Sequence, residues 1–203
     1  MRFKYFDKPE LFSGFIEDEA VCDICNTTTK CFDAGTFFGI DEIKAICPDC
    51  LASGKLNEKE IYTVSGDIEE LKRQLKILHA VFTDQEIETI AAEKTKELEK
   101  TTPPVISWQD WDWPCADGDY CRFIGYGSKQ LYQTLANGSD AKTLFNTSIY
   151  YELKEMSDAE SLWAKALPGK EIKNYEESSE FGTLFYVFKS LNSDKVITIW
   201  DCD

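Results

Sequence analysis

Two short stretches decide how this chain folds: Cys22-Asp23-Ile24-Cys25 and Cys47-Pro48-Asp49-Cys50, two C-x-x-C pairs with 21 residues between the inner cysteines. Two residues between thiols let a tight turn aim both sulfurs at one point, with backbone N–H groups of the turn free to donate to them. Two such turns complete a tetrahedron of sulfurs at about 2.3 Å from a zinc ion. The separation is close to the four-cysteine zinc pattern, in which roughly 15–20 residues part the pairs. Cys22, Cys25, Cys47 and Cys50 are therefore the expected ligands, and Zn2+ the expected ion. A closed shell of four thiolates has no open position for water or substrate, so this zinc is structural. A redox dithiol needs only one C-x-x-C after a strand and is the weaker account of two pairs.

The flanking sequence suits such a centre. Residues 27–33 and 42–46 each read as a short strand, with Gly35 and Gly39 in the connection. Their hairpin returns the second pair beside the first, and Leu51-Ala52-Ser53 begins a short helix on the last ligand, a treble-clef-like module. Upstream, Phe3 and Tyr5 suggest a strand before the acidic loop Glu17-Asp18-Glu19.

Downstream, Asp67 and Glu70 cap a helix with Leu71, Leu75 and Leu78 on one face. Thr83 and Glu86 form a capping box for a second, which carries Ile87, Ile90, Ala91 and Leu98 and stops at Thr102-Pro103. Residues 130–137 read as a short helix ended by Gly138, and 148–153 as a strand. Ser157 with Glu160 caps a helix holding Leu162, Trp163 and Leu167. The β-rich runs 184–191 and 196–200 form a hairpin around a four-residue loop, 192–195. The expected fold is α+β: a zinc-binding module over 1–66, a helical segment over 67–104, and an α+β region over 105–203 with a Trp-rich loop and a C-terminal hairpin.

The chain has 203 residues, 43% of them hydrophobic, enough for a sizeable core. Acidic side chains number 37 against 22 basic ones, a formal net charge of −15. That balance repels nucleic-acid phosphates and anionic membranes and leaves room for a basic protein partner; the plainer reading is solubility. The opening MRFKYFDKPELF has no apolar signal region, and no run approaches the roughly 20 apolar residues of a membrane span, so a cytoplasmic location is expected. Eight cysteines in that compartment mean metal ligands or free thiols rather than disulfides. Cys31 reads as a small packed residue. Cys115, Cys121 and Cys202 give three donors at most, and the single histidine, His79, lies in the helical region, so a second metal site is not expected.

Residues 105–127 are dense in tryptophan and aspartate. Trp108, Trp111 and Trp113 offer too much apolar area to be exposed together. They either pin an irregular segment to the core or form a recognition surface with Asp110 and Asp112. Asp110, Asp112, Asp117 and Asp119 lack the donor order of a calcium loop. There is no phosphate loop, nucleophile elbow, zinc-protease helix or dinucleotide fingerprint. One histidine makes Ser–His or Cys–His catalysis depend on His79 alone, so the sequence leans away from an enzyme. Carboxylate acid–base chemistry near the Trp/Asp segment is the remaining catalytic route.

Phe3, Tyr5, the first cysteine pair, the run Ile46 through Gly54, Thr102-Pro103, Ser107-Trp108-Gln109, Trp113-Pro114-Cys115, Cys121, Phe123-Ile124-Gly125 and the 184–188 strand together make the chain resemble the CbrC family. These are bacterial proteins named for a colicin-tolerance phenotype, and the resemblance covers most of the chain. It implies an intracellular protein with no assigned reaction and a role in stress or bacteriocin tolerance. Two departures stand out. Ser190 and Ser193 occupy positions where relatives often carry another C-x-x-C, and Pro114 stands where many have histidine. The expected function is a zinc-stabilised protein-interaction module. The alternatives are an immunity-type protein neutralising a basic toxin, and a carboxylate enzyme at the Trp/Asp segment.

Overall fold

The structure, a computed structural model, describes residues 3–151 and 156–202. Its N-terminal part is assembled from very short elements. Helix α1 (Pro9–Phe12) comes first. No strand forms at Phe3 and Tyr5; the chain makes one parallel bridge there, Phe6 with Phe123. Tyr5 and Phe6 are consecutive and both buried, so the alternation of a half-exposed strand is broken.

Six two-residue strands follow: β1 (Ala20–Val21), β2 (Thr28–Thr29), β3 (Phe32–Asp33), β4 (Phe38–Gly39), β5 (Ala45–Ile46) and β6 (Ile61–Tyr62). β1 pairs with β2 around the first cysteine turn, β3 with β5, and β4 with β6, all antiparallel. The return pairing expected between 27–33 and 42–46 is present as Phe32↔Ile46 and Asp33↔Ala45, but the first run is split into β2 and β3. Helix α2 (Pro48–Ala52) starts earlier than the sequence suggested. Pro48 suits the first helical turn, where its missing N–H is not needed, and the Cys47 sulfur accepts the Cys50 N–H as a cap.

Asp67 caps α3 (Ile68–Leu78) by accepting from the Glu70 N–H, and Thr83 with Glu86 forms a reciprocal capping box on α4 (Asp84–Thr101). Leu71 and Leu75 are buried, whereas Leu78 ends its helix 53% exposed. The Trp/Asp region holds a hairpin that the sequence reading missed. β7 (Cys115–Ala116) and β8 (Asp119–Tyr120) pair around Asp117-Gly118, both at positive φ (55° and 77°), the pair of conformations a tight two-residue hairpin turn requires.

β9 (Arg122–Tyr126) follows, then α5 (Lys129–Ala136), α6 (Ala141–Ser148) and α7 (Met156–Ser161), which runs into a π-type turn at Leu162–Ala166. Asp140 caps α6 by accepting the Thr143 N–H. That helix displaces the start of the strand expected over 148–153: Ile149 makes only a lone bridge to Thr198, and residues 152–153 lie outside the described residues. Ser157 lies inside α7 rather than ahead of it.

The chain ends in β10 (Thr183–Lys189) and β11 (Val196–Cys202), which with β9 form an antiparallel sheet of order β11-β10-β9. Their loop spans residues 190–195, two longer than expected, because β10 ends at Lys189. Alternation along β10 serves two cores. Tyr186 and Phe188 face a large cluster that includes Phe3, Phe32, Leu71 and Trp113. Phe185 and Val187 face a smaller one with Tyr132 and Phe145. Burying each such side chain contributes about 1.5–3 kcal/mol, which makes β10 the central beam of the fold.

Candidate metal centre and acidic aromatic groove

The sulfurs of Cys22, Cys25, Cys47 and Cys50 all lie within 4.8 Å of one another, the only such group of potential ligands among the described residues. Cys25 Sγ and Cys47 Sγ are 3.8 Å apart. A tetrahedron with metal–sulfur bonds of about 2.3 Å has edges of about 3.8 Å, so the spacing suits one ion.

Local hydrogen bonds build this geometry. The Asn26 N–H donates to the Cys22 carbonyl (2.8 Å) and the Cys22 N–H to the Thr27 carbonyl (3.0 Å), closing the first turn with Asn26 at φ 58°. Asp23 then clips that turn to β5. Its N–H donates to the Ala45 carbonyl (2.9 Å), and its carboxylate accepts the N–H groups of Lys44 (2.6 Å) and Ala45 (3.0 Å). Those two bonds hold the Asp23 carboxyl below its ordinary value. Two backbone donors reach the sulfurs themselves: Cys47 N–H to Cys22 Sγ at 3.3 Å and Cys50 N–H to Cys47 Sγ at 3.5 Å.

Burial pushes the Cys47 and Cys50 thiols up, while hydrogen bonds from Thr27 draw Cys25 down to about 6. Burial disfavours the charged thiolates of Cys47 and Cys50, and a divalent cation would offset that cost. All eight cysteines are free, so the four donors are available to a metal.

The other cysteines stay apart from this centre's ligand set. Cys31 is buried and pushed up to about 11 by loss of water. Cys115 is buried beside the Tyr150 hydroxyl and pushed up to about 12, again by burial. Where relatives are expected to carry a further cysteine pair, Ser190 and Ser193 donate to the Asp117 carboxylate at 2.7 and 2.6 Å. A hydrogen-bonded clasp closes that turn. His79 ends α3 and stacks on Phe82.

The Trp/Asp segment divides its three indoles between roles. Trp113 is 1% exposed, and its indole N–H donates to the Cys121 carbonyl at 2.7 Å. Backbone bonds to Ser65 (2.7 Å) and Asp67 (3.1 Å) fix it on both sides. Trp113 is thus a core anchor, not an exposed contact. Trp108 is 37% exposed and lies outside the groove described next. Trp111 sits between, half-buried against Tyr186 and Phe188.

Trp111, Asp110 and Asp112 line a groove of about 900 Å³, with Trp113 beneath. Asp33, Phe38 and Tyr62 form one wall from the cysteine-bearing region, and Trp200 and Asp201 form another from the end of β11. Among the described residues, no lysine, arginine or histidine lines it. Of the residues singled out from sequence, the fold therefore brings Trp111, Asp110 and Asp112 to one surface.

Asp201 was not legible beforehand. It is 3% exposed, and its Oδ2 accepts the Tyr186 hydroxyl (2.8 Å) and the N–H groups of Trp108 and Gln109 (3.2 Å each). Burial still holds its carboxyl above the ordinary value. Among the described residues its Oδ1 has no hydrogen-bond partner, and neither has the buried Trp111 Nε1. The only sequence signal was an aspartate at the end of an evident strand; its backbone donors lie 92–93 residues away. Asp112, on the rim, is likewise raised, by loss of water and by the charge of Asp67.

Fold and site define an α+β protein with a four-cysteine centre able to bind one metal ion and a separate acidic, aromatic groove. Among the described residues, no helix is long and apolar enough to cross a membrane. The chain belongs to the uncharacterised protein family UPF0167, whose model matches residues 1–202. No solved structure matches it.

Proposed function

We propose that this is a zinc-stabilised interaction protein of the cytoplasm, in which Zn2+ on Cys22, Cys25, Cys47 and Cys50 organises the N-terminal region and the groove recognises a protein partner. Four thiolates in a closed tetrahedral set favour zinc over hard cations, and a filled shell favours a structural role. The observation that carries the recognition half is the groove of about 900 Å³ walled by Trp111, Tyr62 and aspartates, with no histidine, cysteine or lysine lining it among the described residues. It offers aromatic faces and charge but no nucleophile paired with a base. The net charge of −15 favours a basic partner. A part in stress or bacteriocin tolerance follows from the CbrC resemblance and belongs to this proposal.

The test places a photo-reactive residue at Ser107, an exposed position of the groove. Cross-linking in cells should give a discrete protein adduct that Trp111→Ala removes while metal content stays at one zinc per chain. An adduct indifferent to Trp111→Ala, or none at all, rejects the groove as the contact surface.

A second reading is favoured by one observation: Asp112 and Asp201 both sit above the usual carboxylate range and both line the groove. Such a pair suits acid–base catalysis. Turnover in a hydrolase screen that Asp112→Asn and Asp201→Asn each abolish would select this reading; turnover that survives both would remove it.

A further inference from the structure

The four sulfurs of the cysteine centre are not equivalent. Cys22 is wholly buried, and Cys47 and Cys50 are 5% and 7% exposed. Cys25 alone of the four is exposed. A cleft of about 270 Å³ lies against it, lined by Cys25, Thr27, Cys47, Asp49, Cys50 and Ser53. Small molecules in solution therefore meet the quartet at one corner. A metal-bound thiolate stays nucleophilic, and oxidants select thiolates that are exposed. The neighbouring sulfur is close. Cys47 Sγ stands 3.8 Å from Cys25 Sγ, on a different segment of the chain. A disulfide has its sulfurs about 2.0 Å apart, so joining the pair asks for a closure of about 2 Å. Cys202 is exposed as well, but it belongs to no ligand cluster among the described residues. It is an internal control for exposure without a neighbouring thiol.

We propose that Cys25 is the site at which a peroxide oxidant opens the metal centre, with Cys47 as the resolving thiol. The Cys25 thiolate attacks one oxygen of hydrogen peroxide; the O–O bond breaks, an S–O bond forms and hydroxide leaves. The Cys47 thiolate then attacks the Cys25 sulfur, forming the S–S bond and expelling the sulfenic oxygen as a second hydroxide. The two sulfurs together give up two electrons, and the peroxide, taking up two protons from solution, ends as two waters. Only Cys22 and Cys50 remain as donors, too few for a tetrahedral site, so the ion is released. The consequence reaches the groove. β5 leads into Cys47, and its partner β3 carries Asp33, which lines that groove. Oxidation thereby loosens one wall of the recognition surface. The inference rests on the reading of the quartet as a zinc site and adds to it a means of control.

The test treats the zinc-loaded protein with a small molar excess of hydrogen peroxide. Released zinc is read with a chromophoric chelator, and thiols and disulfides are mapped by alkylation and peptide mass spectrometry. One zinc should leave per disulfide formed, the bond should join Cys25 to Cys47, and dithiothreitol with added zinc should restore the metal. Cys202 should be oxidised without an intramolecular bond. Cys25→His keeps a four-ligand set of three cysteines and one histidine while removing the accessible sulfur. Its release of zinc by peroxide should be slower by at least about tenfold. A wild type that keeps its zinc while Cys202 is oxidised overturns the proposal. So does a disulfide that omits Cys25 or joins it to another cysteine, and so does a zinc-loaded Cys25→His that releases as fast as wild type. If Cys25→His fails to load, the wild-type disulfide map decides alone. The zinc reading is judged separately, by metal content before treatment. A chain holding one zinc that peroxide does not release rejects only the oxidation site, whereas a chain that never holds zinc rejects both.

Discussion

Replacing Cys50 by serine should cost the metal before it costs the fold. Cys50 is the third residue past its helix cap, 7% exposed, and its neighbour Leu51 is fully buried. Four thiolates in model zinc domains together supply about 10–16 kcal/mol. Divided evenly, that is about 2.5–4 kcal/mol per ligand, or a loss of about 60- to 700-fold in metal affinity at roughly 1.4 kcal/mol per decade. The structural consequence is local. α2 has five residues and each strand from β1 to β6 has two, all far shorter than elements that persist alone in water. Without the ion, the amides of β3, β5 and α2 should exchange freely while β10 and β11 stay protected. The assay is competition with a chromophoric zinc chelator, followed by segment-resolved hydrogen exchange on wild type, Cys50→Ser and chelated wild type. A variant that holds zinc within threefold of wild type, or a chelated protein that keeps its protection at Ala45, Ile46 and Leu51, would refute the metal-built account.

Trp113→Ala should lower unfolding free energy by about 3–5 kcal/mol through a cavity under Phe6 and Phe188, whereas Trp108→Ala should stay within about 0.5 kcal/mol; urea melts of the two separate core anchor from surface. Asp201 governs a pH limb. Its folded pKa is raised, so its contribution is complete below the unfolded value near about 4 and is lost as pH rises through the folded one. The difference in urea midpoint between wild type and Asp201→Asn should therefore fall across that window on raising the pH, whatever the other carboxylates add to both proteins; a difference that does not change with pH would assign the limb elsewhere. Gly66→Ala would bring a methyl within 2.5 Å of the Tyr120 ring, so a loss of about 1–3 kcal/mol is expected from overpacking, read as a lower Tm.

What was legible in the sequence was local chemistry. The cysteine turns, the Asp67 cap and the Thr83–Glu86 box each need residues two or three apart, and each is present in the structure. The C-terminal hairpin was equally plain from its β-branched and aromatic runs. The β7–β8 hairpin was also locally encoded, by Asp117-Gly118, but the crowd of tryptophans drew the reading toward a surface segment. α6 was hidden because its end, Ser148, opens into a β-rich stretch. Asp201 had no local signature at all. Its meaning comes from backbone N–H groups over ninety residues earlier and from a tyrosine on the neighbouring strand. Burial decides such a residue's role, and burial is a property of the finished packing.

The two halves of the proposed function are mechanically joined. Asp33 lies in β3, which pairs with β5, and β5 leads directly into Cys47; Phe38 in β4 and Tyr62 in β6 pair across the same wall. The remaining lining residues Trp200 and Asp201 belong to the sheet and need no metal for their position. A ligand that touches both walls therefore prefers the metal-bound form. Coupling of this kind is reciprocal: whatever factor the ion adds to ligand affinity, the ligand must add to ion affinity. Zinc competition repeated with the saturating protein partner captured through Ser107 measures that factor directly. A metal affinity unmoved by a partner that binds would place all of its contacts on the sheet side and leave the cysteine centre a scaffold without influence on recognition.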